Sequence, residues 1–216
     1  MPATPPQPPR DCALCPRLSD YRAANRRAHP DWFNAPVPSF GSGDARLLVV
    51  GLAPGVAGAN RTGRPFTGDF AGDLLYATLL RFGFATGDYD RRPDDGLRLT
   101  GCRITNAVRC VPPANKPTGV EIRTCRRFLV PELEDSAVPP RAILALGRVA
   151  HDSVLSALRL KRAAFPFAHG AVHRIDGGQR LYDSYHCSRY NTNTGRLTPA
   201  MFEAVFERIA ADLAEG

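Results

Sequence analysis

Residues 47–69 read LLVVGLAPGVAGANRTGRPFTGD, and this stretch decides the fold. Leu47 to Val50 are apolar without alternation. Such a run marks a strand buried on both faces, the pattern of a parallel sheet. The nineteen residues 51–69 hold five glycines, two prolines and one acid, Asp69. A buried strand that empties into so permissive a loop points to a ligand site at its carboxyl end. The loop is not G-x-G-x-x-G, and it lacks the Gly-Lys-Ser/Thr of a phosphate loop.

Outward from this strand at 46–51, the pattern predicts further strands at 103–108, 142–146 and 181–186. Helices are predicted at 70–83, 120–133, 149–160 and 199–214, with a basic helical stretch at 21–29. Thr198 and Pro199 supply the cap and first position of the last helix. The polar segment 88–99 reads as a surface loop. Strands separated by helices give an α/β fold with a mainly parallel, four-stranded sheet covered on both faces. Its ligand then sits where the strand ends converge: Gly51-Leu52-Ala53, Thr105-Asn106, Gly147-Arg148 and His186-Cys187-Ser188.

The chain has 216 residues and a net charge of +7. Of its 28 basic residues only Lys116 and Lys161 are lysine. An arginine-dominated surplus favours bidentate phosphate contacts, hence nucleic acid. No apolar stretch is long enough to span a membrane. The Pro-rich residues 1–10 lack a signal core and read as a flexible tail before a single domain at 11–216; the protein reads as cytoplasmic.

Six cysteines without a signal argue against a disulfide framework. Cys12-x-x-Cys15 is a chelating pair, and Cys110 and Cys125 are fifteen apart. Four thiolates can hold zinc or an iron–sulfur cluster, and the wide second pair favours the cluster over a zinc ribbon. The plain alternative is one C-x-x-C and two buried thiols. Cys102 and Cys187 read as non-ligands, and His29, His151, His169 and His173 as structural. In the glycine loop, Phe66 offers a stacking surface, and Asn60 and Asp69 can orient a water. Asn106 can donate and accept together, which suits a base edge. The segment YHCSRYNTNTGRLTP, residues 185–199, mixes cations, amides and an aromatic, as phosphate contact and base insertion require.

The motifs GLAPG, GANRTGRPFTGD, TNAVRC, LALG and TGRLTP together resemble the uracil-DNA glycosylase superfamily, in its iron–sulfur branch of type 5 (type b). The likeness runs from Cys12 to the last helix. It implies a three-layer α/β/α sandwich and a [4Fe–4S] cluster on Cys12, Cys15, Cys110 and Cys125. It also implies excision of a damaged base flipped from the duplex; a first motif without an acid goes with a tolerant pocket, so the expected partner of this monomer is DNA that contains uracil or other deaminated bases such as hypoxanthine. By position, Gly51, Leu52, Ala53, Phe66 and Asn106 would hold the base, with Phe66 stacking and Asn106 reading its Watson–Crick edge. His186 would donate to a carbonyl oxygen of the leaving base. Arg61, Ser188, Arg189, Tyr190, Asn191 and Arg196 would meet DNA.

Two departures matter. The first motif has no polar side chain, so the water must be placed by Asn60, Asp69 or backbone groups. The chain also has His186-Cys187-Ser188 where the family often has His-Pro-Ser. The missing acid leaves a second reading open, a non-catalytic iron–sulfur DNA-binding protein; a zinc-dependent nucleic-acid module is the third.

Overall fold

A computed structural model describes residues 5–134 and 139–215. In chain order the first half holds α1 (Pro16–Ala28), β1 (Phe40–Gly41), β2 (Leu47–Gly51), α2 (Ala59–Thr62), α3 (Phe70–Arg81), β3 (Ala85–Thr86), β4 (Arg98–Leu99) and β5 (Cys102–Asn106). The second half holds α4 (Gly119–Cys125), α5 (Val130–Leu133), β6 (Ala142–Leu146), α6 (Arg148–Ala157), β7 (Val172–Arg174), β8 (Arg180–Ser184), α7 (Arg189–Asn193) and α8 (Pro199–Ala214).

The sheet order is β1-β5-β2-β6-β8-β7. Its centre is the four parallel strands that the apolar runs predict, β5, β2, β6 and β8. The sheet has six strands rather than four, because β1 and β7 add antiparallel edges. These edges are two and three residues long, too short to show a period.

Both faces of the sheet are buried, as the unalternating run Leu47–Val50 requires. Leu47 and Val49 pack with Leu75 and Leu79 of α3 and Phe202 and Phe206 of α8. Leu48 and Val50 pack on the other face with Leu129, Val154 and Leu155. Each such side chain contributes about 1.5–3 kcal/mol of burial. In α8 the buried stripe Phe202, Val205, Phe206, Ile209 and Leu213 follows helical spacing, and the Thr198 hydroxyl accepts from Met201 N–H at 3.2 Å.

Three expectations are corrected. The helix predicted over 120–133 breaks into α4, a 3₁₀ turn at Arg126–Phe128 and α5, because Pro131 has no N–H to continue the ladder. The segment 88–99 is not a free surface loop: β3 and β4 pair at its base, and Leu97 is buried. The proline-rich tail is docked where it is described. Gln7 donates to Glu132 at 3.1 Å and accepts from Arg109 at 2.8 Å and from Ser39 N–H at 2.9 Å; residues 1–4 lie outside the described residues. Among the described residues no helix is long and apolar enough to cross a membrane.

Candidate active site

A cavity of about 570 Å³ opens at the carboxyl ends of β2, β5 and β8. Leu52, Ala53, Phe66, Asp69, Asn106, His186, Ser188 and Arg189 all border it. Parallel topology is what gathers them. The three strands run the same way, so loops separated by more than a hundred residues open on one edge.

Phe66 and His186 face each other, with ring centroids 5.9 Å apart and planes 29° from parallel. Burial pulls His186 down to about 4, so its imidazole is neutral at physiological pH. Asn106 is 3% exposed, and among the described residues its amide has no protein partner. A buried amide that borders a cavity with donor and acceptor uncommitted is prepared for a polar ligand. Gly51 makes this approach possible: a Cβ there would lie 2.4 Å from Asn106 Oδ1 and 2.6 Å from Phe66 Cζ.

Asp69 caps α3, accepting from Gly72 N–H at 3.3 Å. Burial raises its carboxyl above the usual range, against the lowering effect of the Gly72 and Ala71 N–H groups. Asn60 is placed differently from the expectation. It is 1% exposed, its Nδ2 donates to Asn34 Oδ1 at 2.9 Å, and it does not border the cavity. Of the two side chains considered for holding water, only Asp69 reaches the space where a water would act.

The predicted DNA loop is ordered by its own helix. Ser188 caps α7 and borders the cavity, and Arg189 lies over the Phe70 ring at 5.3 Å. Tyr190 is 72% exposed beside it. Asn191 donates to the His186 carbonyl at 2.8 Å and Arg196 lies over Tyr185 at 4.6 Å. Both of these border a neighbouring cleft of about 320 Å³ that shares His186 with the cavity. Arg61 is elsewhere, beside Arg91 and Arg92 in a separate groove. Sequence reasoning missed Asn115, which borders the cavity with φ +55°; the strand end Gly147-Arg148 borders the neighbouring cleft. Asn115 belongs to a loop with no chemical motif of its own; only its place after β5, on the same sheet edge, signals it.

The four predicted ligands, Cys12, Cys15, Cys110 and Cys125, line one small apolar-walled space with Leu18, Val108 and Phe128. No three of their sulfurs lie within 4.8 Å of one another; among the described residues only His151, His173 and Asp183 form so tight a group. A mononuclear zinc site, with Zn–S near 2.3 Å, would draw sulfurs to about 3.8 Å. The four sulfurs are not gathered for a single zinc ion. Charge bears on what they could hold. Arg22 is buried, donates to Cys110 Sγ at 3.5 Å and has no carboxylate partner among the described residues. Buried Arg103 and Arg109 share the single carboxylate of Glu132. This surplus of buried positive charge calls for a buried anion, and a cluster on four thiolates supplies one. Cys102 and Cys187 sit apart in the core, their thiols pushed up by burial.

Comparison with known proteins agrees with this geometry. Residues 38–210 match the family model of the uracil DNA glycosylase superfamily. A type-5 uracil-DNA glycosylase of Thermus thermophilus is 48% identical over 198 residues, covering 88% of this chain and 89% of that protein. One from Pyrobaculum aerophilum is 45% identical over 206 residues, 94% and 89% of the two chains. A type-4 uracil-DNA glycosylase of Archaeoglobus fulgidus is 33% identical over 141 residues, 65% and 62%. With the match spanning the sheet, the cavity and α8, the chain belongs to the uracil DNA glycosylase superfamily.

Proposed function

We propose that this protein excises uracil from DNA by hydrolysing the N-glycosidic bond of a flipped nucleotide. One observation carries the reading. An aromatic ring, an uncommitted amide and a neutral imidazole meet in one cavity, at Phe66, Asn106 and His186.

The base enters against Phe66, which supplies a stacking face. Asn106 donates from Nδ2 and accepts at Oδ1, matching the carbonyl and imide N–H of uracil's Watson–Crick edge. As the bond to the sugar lengthens, negative charge gathers on the base. His186 N–H donates to that anion as a neutral group. One well-placed donor of this kind is worth about 3 kcal/mol in the transition state. Asp69, as the carboxylate, accepts a proton from a water aimed at the sugar. This carboxylate takes the part of the acid absent from Gly51–Gly55, so nothing favours the non-catalytic reading. The wall of Ala53, Gly55, Ala57 and Ala59 is small-sided, which suits a bicyclic base such as hypoxanthine as well. Ser188, Arg189 and Tyr190 meet the duplex beside the cavity. The enzyme works as a monomer in the cytoplasm, where its DNA is.

Cys12, Cys15, Cys110 and Cys125 would hold a [4Fe–4S] cluster, which binds the N-terminal segment to the loop after β5. Its part would be structural, and Arg22, which donates to Cys110 Sγ, would balance its charge.

The test incubates the protein, with iron content and visible absorbance recorded, with labelled duplexes carrying U·G, U·A or hypoxanthine·T, then cleaves abasic sites with alkali. Cuts at uracil are expected. No cuts on any duplex by cluster-loaded, DNA-binding protein would overturn the reading. Zinc in place of iron would overturn the cluster.

A further inference from the structure

Phe66 adopts φ +53°, the left-handed region that bulky residues avoid. A strained conformer persists only where its surroundings over-determine it. What surrounds this peptide is a segment distant in sequence and outside the cavity. Tyr89 donates from its hydroxyl to the Phe66 carbonyl at 3.2 Å. This one side chain therefore holds the turn Phe66-Thr67-Gly68 at its first residue; Gly68 at its end is also left-handed, at φ +90°.

The approach depends on Gly72. A Cβ at 72 would lie 1.8 Å from the Phe66 oxygen and 2.4 Å from the Tyr89 hydroxyl. Gly72 lies inside α3 and does not have a positive φ. It is therefore small for the sake of space, at a position where alanine would suit the helix better.

Tyr89 is itself held. Its ring lies 4.5 Å from that of Tyr76, whose hydroxyl donates to the Pro65 carbonyl at 2.6 Å. Arg64 lies over both rings, at 5.3 Å and 5.8 Å, and pairs with Asp95 through two bonds of 2.8 and 2.7 Å. Asp95 also accepts from Asp90 N–H at 2.9 Å and Leu97 N–H at 3.1 Å, which closes the segment that carries Tyr89.

We infer that Tyr89 is a positioning residue, whose hydroxyl holds the left-handed Phe66 peptide and so fixes the ring against which the base stacks. This rests on the reading of Phe66 as the stacking face. The 88–97 segment is then a strut for the active site.

The test is a double-mutant cycle of Tyr89→Phe and Phe66→Ala, read by single-turnover excision of uracil, by thermal unfolding, and by affinity for uracil and for abasic duplexes. Tyr89→Phe keeps the ring and removes one oxygen. It should slow excision about five- to tenfold and weaken uracil-duplex binding. Unfolding temperature and abasic-duplex affinity should hold, since an abasic site has no base to stack. On a Phe66→Ala background it should have no further effect. Gly72→Ala should give the same loss of excision although it favours the helix. Wild-type excision by Tyr89→Phe with normal folding, or full additivity with Phe66→Ala, overturns the strut while leaving Phe66 in place. Wild-type excision by Phe66→Ala overturns the stacking role and the strut with it.

Discussion

The Asp69 carboxylate rests against the bare Cα of Gly58, where a Cβ would come within 2.3 Å of Oδ2. Gly55 leaves the same oxygen room on its other side, at 3.1 Å. The glycines of the first loop thus make space for an acid that arrives from the start of α3.

Two substitutions separate the acid from its space. Asp69→Asn keeps a good helix cap, so the unfolding temperature should barely move. Uracil excision should fall about 100-fold or more, the usual worth of a positioned base. Gly58→Ala leaves Asp69 in the chain but displaces its carboxylate, and should lose activity on a similar scale. Wild-type rates in either variant would remove Asp69 from the mechanism.

The pH profile should carry the same residue. Burial raises Asp69, and a base must be ionised, so activity should fall on acidification with a midpoint above the ordinary aspartate value of about 3.9. His186, drawn to about 4, takes up its proton only at the bottom of that range. Single-turnover rates measured against pH should therefore lose this acidic limb in Asp69→Asn. An unchanged limb would assign it to another group.

Stability should depend on the docked N-terminal segment. Gln7→Ala breaks contacts to Glu132, Arg109 and Ser39 and should cost about 1–3 kcal/mol in denaturant unfolding. Glu132→Gln leaves buried Arg103 and Arg109 without their shared carboxylate, and should cost about 3–5 kcal/mol. A freely moving tail predicts no effect from Gln7→Ala.

His151 gives stability a basic-side slope. Its Nδ1 lies 2.7 Å from Asp183 and its Nε2 lies 2.9 Å from the Phe165 carbonyl. The Asp183 oxygen and the Phe165 carbonyl can each accept from the ring, so a protonated imidazole finds a partner for both of its N–H groups. Burial pulls His151 down, but the Asp183 hydrogen bond and charge, with the Phe165 carbonyl, leave it raised. The folded state therefore holds this proton more tightly than the unfolded chain. Its contribution is complete below the unfolded value near 6.5 and is lost as pH rises through the higher folded value. Thermal unfolding measured from acid to alkaline pH should show this loss in the wild type and a flatter profile in His151→Gln.

What the sequence determined by itself is the framework. The unalternating runs at 47–50 and 142–146 could only be strands covered on both faces, and the four parallel strands follow from them. Phe66, Asn106 and His186 meet at one cavity because Asn106 ends β5 and the other two lie on the segments that leave β2 and β8 at the same edge of that sheet. The tertiary structure decided what depends on partners remote in the chain. It turned Asn60 toward Asn34 and away from the cavity, and seated Asp69 on Gly58. It docked Gln7 on Glu132, 125 residues away, and brought Tyr89 to the Phe66 carbonyl. Local pattern encodes which face of an element is buried, because burial repeats along the chain. It does not encode which polar atom meets which, because a hydrogen bond is a single contact with no period to read.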